Sequence, residues 1–348
     1  MTTVVSPETV DDAADAIREA AADLQTIRFA GSRSRQGLGG IGDGDVRIDT
    51  AGMKGVVEWL VEDLTIVVEA GMPVGEVEHL VGTKGLTTLL PVDEPNRTVG
   101  GLIAEGASGH ARLKYGPTRD RVLEVTMATG YGKVVRGGGR LVKNVTGYDL
   151  PRLVTGSLGS LGLIGTICLK LWPLPPLRRT VVVDDPAHAL RVLFRPAAIL
   201  ETEVLSFAVL EGNEPHVDAQ MALVGASTQT KPPEAINSPI RLSVRVPPAH
   251  VTDTVSRVRR LGAERFVAQH GVGVVDAGFA AIRPEEVLEL RARTELVGGS
   301  LVVTAPGLAL ATVDPWGTPR DTLEIQRRMK ALFDPRGVCN PGILPGGL

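Results

Sequence analysis

The sequence predicts an α+β fold in more than one part, and three observations support this. With 348 residues the chain is long enough for two or three domains of ordinary size, each with its own core. Its 41 glycines are unevenly spread, 27 of them within the first 175 residues, so the first half needs tight turns or close approach of its backbone to something. After WPLPPL, residues 172–177, the pattern changes to longer helices and strands, which makes this proline-rich stretch the linker candidate.

The elements follow in order. Ser6, Pro7 and Glu8 make a helix start, and Val10, Ala13, Ala14, Ile17, Ala20, Ala21 and Leu24 recur at helical spacing. TIRFA (26–30) and VRID (46–49) read as short strands around a glycine-rich loop. VVEWLVEDLTIVVEAG reads as a strand pair, PVGEVEHLVGTKG as a helix with a glycine stop, and TVGGLIAEGASG as a short helix. In VLEVTMATGYGKVVRG two strands flank Gly130 and Gly132 as a hairpin. A helix around DLPRLVTGS precedes LGLIGTICLKLW, a buried strand. Beyond the linker come TVVV, a helix near AHALRVLF, then LSFAVLEG, MALVGAS and LSVRV, a helix over VTDTVSRVRRLGA, FVAQHGVGVV, a helix over PEEVLELRART, and SLVVT. That order is two strand–helix–strand units of a small α+β domain, joined through TQTKPPEAINSP. A last helix, TPRDTLEIQRRMKALF, leads into DPRGVCNPGILPGG.

Composition excludes several classes. With 43% hydrophobic and 22% charged residues the chain is not disordered, and a net charge of −3 gives no electrostatic case for binding nucleic acid or an anionic membrane. Cys168 and Cys339 cannot supply the four thiolates of an iron–sulfur cluster and make a poor disulfide framework, which points to a reducing compartment. The N-terminal residues lack a basic and then apolar leader, and no run of 18 apolar residues occurs, so a soluble cytoplasmic chain is expected.

Gly37, Gly39 and Gly42 spell G-x-G-x-x-G, but they run into a strand rather than a helix, so the nicotinamide-dinucleotide interpretation is rejected. GSRSRQG (31–37) is a better phosphate cradle. Backbone N–H groups between glycine and serine can converge on a pyrophosphate, the Ser32 and Ser34 hydroxyls are further donors, and Arg33 and Arg35 add charge. An ordinary surface loop is the alternative for this segment taken alone. Two more glycine-rich segments, at 91–109 and 156–165, border apolar runs, and three such places in one half suggest a large flat ligand such as a dinucleotide.

The ordered set of the 31–37 loop, P…TVGG, ASG at 107–109, YGPTRDRVLEV at 115–125, KNVTGYDLPRL at 143–153, GSLGSLGLIGTICLKLWP at 156–173 and FDPRGVCNPG resembles FAD-linked oxidases of the vanillyl-alcohol-oxidase type. Within that superfamily it is similar to the E-subunit family of bacterial glycolate oxidases, over nearly all of residues 10–175 and the last ~30. The resemblance implies an α+β fold made of a two-part PCMH-type FAD-binding domain (1–174), a smaller α+β cap domain (175–310) and a C-terminal segment (311–348) that returns to the flavin.

It also implies a site. The backbone of Gly31, Ser32, Arg33, Ser34 and Arg35 would bind the FAD pyrophosphate. Pro91, Thr98, Val99, Gly100, Gly101, Ser108 and Gly109 would line the flavin and ribityl side, and Gly162 and Ile164 would meet the adenine end. Tyr115, Gly116, Arg119 and Asp120 lie in the next matching segment, with Arg119 and Asp120 open between a cofactor role and a structural ion pair. Asn340 would return to the flavin ring. Some relatives attach FAD through a histidine near the position of Arg33, so non-covalent FAD is expected.

Catalytic residues are not identified. Oxidising a 2-hydroxy acid needs a hydride acceptor, a base and a cation or metal for the carboxylate. Of the six histidines, His79, His188, His216 and His250 read as half-buried surface residues, and His110, one residue beyond ASG, is also read as having no direct role. No histidine spacing suits a metal. The clustered histidines of the related D subunits are missing, and GGSLVV (298–303) has Ser300 where E-subunit relatives can have histidine. Tyr148 is expected to pack against the FAD domain. The resemblance therefore implies an FAD-bearing subunit that oxidises glycolate or D-lactate beside a D-type flavoprotein and an iron–sulfur subunit, with any membrane association through those partners. A self-sufficient FAD-dependent hydroxy-acid or alcohol oxidoreductase and a non-catalytic flavin-bearing assembly subunit are the alternatives.

Overall fold

The computed structural model describes residues 2–35, 38–40, 42–140, 148–226 and 230–348. The first half is built on two sheets. β1 (Thr3–Val5), β2 (Ile27–Ala30) and β3 (Val46–Asp49) form a parallel sheet with β3 in the middle. β4 (Val56–Leu60), β5 (Thr65–Glu69), β7 (Val122–Thr129), β8 (Val134–Gly138) and β9 (Gly162–Lys170) form an antiparallel sheet in the order β4-β5-β9-β7-β8. β6 (Leu86–Thr87) pairs with β10 (Trp172–Pro173). Trp172 and Pro173, expected in a linker, are therefore fixed to the first half.

Helix α1 (Val10–Ala22) begins at Thr9 rather than Ser6. Thr9 Oγ1 accepts from the Asp12 N–H at 3.1 Å while the Asp12 carboxylate accepts from the Thr9 N–H at 3.0 Å, a reciprocal cap that Ser6 cannot make at this spacing. The helix buries Ala13, Ala14, Ile17, Ala20 and Ala21 against the sheets. It lies so close to β9 that a Cβ on Gly165 would sit 2.4 Å from Val10 Cγ2, which is why a small residue stands in an otherwise bulky strand. Helices α2 (Val74–Gly82), α3 (Val99–Glu105), α4 (Arg112–Tyr115) and α5 (Leu150–Val154) fill the connections. Tyr148 does not pack as expected; it is 97% exposed, and Leu150 and Pro151 supply the burial of that turn.

The second half is one seven-stranded antiparallel sheet of β11 (Leu177–Val182), β12 (Ala198–Thr202), β13 (Ser206–Gly212), β14 (Ile240–Arg245), β15 (Arg265–Gln269), β16 (Val274–Phe279) and β17 (Ser300–Pro306). The order is β11-β13-β12-β15-β16-β14-β17. Helices α6 (Pro186–Val192), α7 (Glu214–Leu223), α8 (Val251–Arg260) and α9 (Pro284–Leu296) cover one face, burying Ala189, Val217, Val255 and Leu290 there. MALVGAS is not a strand. Its first residues end α7, which starts at an Asn213 cap and turns Val217 and Gln220 inward at helical spacing. β12 is not anticipated by the sequence pattern, and FVAQHGVGVV spans two strands that turn at Gly271 and Gly273.

Helix α10 (Leu323–Phe333) brings the chain back to the first half. Lys330 is buried there and donates to Ser160 O at 2.7 Å, Asp334 Oδ2 at 2.6 Å and Cys339 O at 2.6 Å. Ile27 then bridges Cys339 in parallel, so residues 338–340 lie alongside β2. Among the described residues no helix is long and apolar enough to cross a membrane.

Candidate cofactor site

A cleft opens where the loop after β2 meets α3, the 158 turn and the C-terminal tail. Gly31 lets the loop close against the start of α3, since a Cβ there would fall 2.2 Å from Thr98 Oγ1. Arg33 follows at φ 59°, a left-handed conformation uncommon for a side-chain-bearing residue, and turns the chain back. The backbone N–H groups of Ser32, Arg33, Ser34 and Arg35 have no acceptor among the described residues. Gln36 and Gly37 of the same motif, and residues 143–147 of KNVTGYDLPRL, lie outside the described residues.

Arg28, Arg33, Arg35, Arg47 and Arg97 line the cleft against two carboxylates, Asp43 and Glu105. Arg33 pairs with Asp49 at 3.1 Å, Arg35 with Glu94 at 2.8 Å and Glu105 at 3.4 Å, and buried Arg97 with Glu105. Burial raises the Glu94 carboxyl, but the Arg35 hydrogen bond and the charges of Arg35, Arg97 and Arg241 outweigh it and hold Glu94 below its usual range. Arg28 and Arg47 stand directly opposite each other on β2 and β3, an unfavourable like-charge pair. Among the described residues Arg28 donates only to the carbonyls of Gly42 and Pro341 and its Nη1 is buried without a partner, and burial lowers its pKa; Arg47 faces Asp43 through Nη1 at 3.7 Å, while its Nε is buried and unpartnered among the described residues. Unsatisfied guanidinium groups beside free N–H groups suit a diphosphate, whose oxygens accept from both.

The expected site residues divide into groups. Gly31, Ser32, Arg33, Ser34, Arg35, Thr98, Gly101 and Asn340 meet in this cleft. Val99 and Gly100 are turned inward, and their N–H groups are already bonded to Met72 O and Ala70 O. Thr98 caps α3 by accepting from Gly101 N–H at 3.2 Å. Asn340 is 4% exposed; its Oδ1 accepts from Phe29 N–H at 3.0 Å and its Nδ2 donates to Leu158 O at 2.7 Å, so it ties the tail to β2 and the 158 turn.

The others lie outside the cleft lining. Pro91 is beside Gly109, and Ser108 Oγ accepts from Thr118 N–H at 3.0 Å. The Tyr115 hydroxyl donates to Glu211 Oε2 on β13 at 2.6 Å and its ring packs edge-on to Trp172 at 5.4 Å. Gly116, at φ 77°, accepts from Arg121. Arg119 and Asp120 form an exposed ion pair at 3.7 Å, and Asp120 also faces Arg152 at 3.5 Å. Gly162 and Ile164 are in β9, paired with Thr129 and Met127. Arg28, Arg47, Arg97, Leu158 and Ile343 also line the cleft, and the motifs do not single them out. The density of arginine at 28, 33, 35 and 47 is the available signal for the first two.

Comparison with known proteins bears on the same residues. Residues 1–138 match the model of the FAD binding domain family. The glycolate oxidase subunit GlcE of Escherichia coli K12 is 34% identical over 177 residues, 49% of this chain and 50% of that protein. GlcD of Bacillus subtilis 168 is 38% identical over 133 residues, 37% of this chain and 28% of its own length. The mitochondrial cytochrome-type D-lactate dehydrogenase of Arabidopsis thaliana is 34% identical over 161 residues, 46% of this chain and 28% of that enzyme. The chain thus spans half or less of the length of these curated relatives. Among solved structures, an alkyldihydroxyacetonephosphate synthase superposes with a TM-score of 0.67 over 97% of this chain and 76% of that one; at 17% identity this shows a shared fold.

Proposed function

We propose, from the match of residues 1–138 to the FAD binding domain family, that the chain is the FAD-bearing subunit of a glycolate oxidase-like complex that oxidises glycolate or D-lactate to the 2-oxo acid. One observation carries this assignment. A row of N–H groups without acceptors among the described residues, Ser32 to Arg35, opens into an arginine-lined cleft in a chain whose net charge is −3.

Gly31 to Arg35 would hold the pyrophosphate, with Arg28 and Arg47 supplying the unsatisfied donors, and Thr98 and Gly101 would border it. Pro91, Ser108 and Gly109 are assigned to the flavin and ribityl side, Tyr115 and Gly116 to the next segment of the motif set, and Gly162 and Ile164 to the adenine end. Arg33 stands where a covalent link would need histidine, so the cofactor is held non-covalently. Bound FAD supplies an acceptor for a hydride from the substrate carbon. The chain's own residues bind and orient: the loop fixes the diphosphate, Asn340 fixes the loop's strand to the tail, and Tyr115 and Lys114 hold Glu211 of the second sheet over the first half.

The division into an FAD domain (1–174), a cap (175–310) and a returning segment (311–348) belongs to the same proposal, as do a D-type flavoprotein and an iron–sulfur protein as partners. The names of the GlcE and GlcD relatives, both glycolate oxidase subunits, support the partnership. Purification of the chain with added FAD followed by a visible spectrum tests the assignment. A flavin band near ~450 nm that survives gel filtration is expected, and its absence would sink the proposal.

A further inference from the structure

Helix α4 belongs to the first half by sequence and to the second by contact. Four residues cannot hold a helical turn through their own hydrogen bonds. This one has no side-chain cap and no fully buried residue, so what its side chains touch decides where it sits. It lies at the end of the second sheet where β12 begins and β13 and β15 finish. Leu113 packs against the buried cluster of Val181, Ile199 and Leu210. The turn that receives it is bare: a Cβ on Gly271, at φ 77°, would fall 2.9 Å from Leu113 Cδ1 and 2.9 Å from Leu190 Cδ1 of α6. Glycine is required there by space as well as by conformation. Lys114 Nζ lies 3.0 Å from Glu211 Oε2 on β13, and the Tyr115 hydroxyl donates to the same oxygen at 2.6 Å.

The Glu211 side chain is 1% exposed, a position a carboxylate tolerates only when donors answer it. Its second oxygen faces Nη1 of Arg178, its cross-strand partner on β11, at 3.6 Å. The clamp stands beside a covalent crossing between the halves. The Tyr115 ring packs edge-on to Trp172 at 5.4 Å, Trp172 is paired to β6 of the first half, and Lys170 Nζ lies 4.7 Å over the Trp172 ring. Only Leu174, Pro175 and Pro176 separate Pro173 from β11, which carries Arg178. On the other side α4 runs straight back into Ser108 and Gly109, the segment assigned above to the flavin side, and the Arg112 N–H donates to Gly109 O at 3.2 Å. That segment is tied to its own half by the bond from Thr118 N–H to Ser108 Oγ at 3.0 Å and by Arg121 on Gly116 O at 2.9 Å. It is therefore stretched between two anchors, one in each half.

We propose that α4 couples the flavin end of the cofactor site to the second half, with Glu211 as the positioning residue that holds Ser108 and Gly109 in place through Lys114 and Tyr115. The inference rests on the FAD assignment above and divides that site in two. The diphosphate cleft at 31–35 is complete within the first half and the tail, whereas the flavin end takes its final shape only when the second half is clamped. Coupling of this kind is reciprocal: a bound flavin steadies the clamp as much as the clamp steadies the flavin.

The test titrates the full chain, stripped of cofactor, with FAD and separately with ADP, by calorimetry. ADP carries the diphosphate and the adenine but no flavin, so it reports the cleft without α4 and serves as the folding control for each variant. Glu211→Gln keeps the shape and removes the charge; Lys114 and Arg178 keep access to water, at 19% and 47% exposure, so no lone buried charge is left behind. It is expected to weaken FAD about tenfold and to leave ADP within about threefold. Lys114→Met should weaken FAD about threefold, and the double variant no more than Glu211→Gln alone, because both changes act through one contact. In hydrogen exchange the amides of 109–116 should be slowed by FAD and not by ADP, and Glu211→Gln should abolish that difference. FAD bound equally by wild type and variants, or FAD and ADP weakened alike, overturns the coupling while the cofactor assignment stands. A wild-type chain that takes up no FAD removes the assignment itself, and the coupling with it.

Discussion

Replacing Lys330 with Met is the most informative perturbation of the fold that carries the cofactor cleft. All three ammonium protons are in use, on Ser160 O, Asp334 Oδ2 and Cys339 O, and Asp334, 1% exposed, also accepts from the N–H groups of Val338 and Cys339. Methionine fills nearly the same volume, so the loss is electrostatic. It leaves a buried carboxylate without its counter-ion and two carbonyls without a donor, which costs about 3–5 kcal/mol. With an unfolding entropy of about 2 cal/mol/K per residue, a chain of this length unfolding as one unit would lose about 4–7 °C in Tm. Differential scanning calorimetry reads that directly, and flavin fluorescence should report cofactor release in the same transition, because the tail carries Asn340 into the cleft. Lys330→Met combined with Asp334→Asn should cost clearly less than the sum of the single changes, since the double variant leaves no lone charge. A Lys330→Met shift below about 1 °C, or strictly additive singles, would mean that the tail is held by something other than this buried ion pair.

Further outcomes follow from the cleft and its borders. Gly31→Ala drives a methyl group to 2.2 Å from Thr98 Oγ1, so it should cost about 1–3 kcal/mol and loosen FAD in equilibrium dialysis, and Thr98→Ser should not relieve it because the hydroxyl remains. Glu94 has its pKa held below 4.5, so the stability from its pairing with Arg35 is complete above that value and lost as pH falls through the lower folded-state pKa; FAD retention should fail only below about pH 4.5, and Glu94→Gln should remove that acid limb. Tyr115→Phe deletes the 2.6 Å bond to Glu211 while Lys114 and Arg178 remain, so a loss of about 1 kcal/mol in chemical denaturation is expected.

Much of the first half is legible in the sequence because its strands are short, apolar and bounded by glycine, and the 31–35 loop announces itself by composition. What stays hidden depends on which strands pair. Arg28 and Arg47 are 19 positions apart in ordinary strand settings, and only the parallel register of β2 and β3 sets them face to face. The end of α7 reads as a strand because its last turn is a run of apolar residues with no periodicity of its own, while the periodic part carries His216 and Gln220. The tail motif marks Asn340, but not that its amide ties β2 to the 158 turn, because both partners are backbone groups far away in sequence.

The seam between β2 and the tail also bears on the order in which the molecule comes together. Phe29 N–H is answered by Asn340 and the Arg28 guanidinium by Pro341, partners 311 and 313 positions apart. On the ribosome, β2 emerges long before residues 338–341 exist, so one wall of the cleft stays open while the whole seven-stranded sheet is being made. Contacts of such long range are slow to close. Closure of that wall is therefore a late step, possible only once residues 338–341 have been made, and until then the edge of β2 has no partner for its Phe29 N–H.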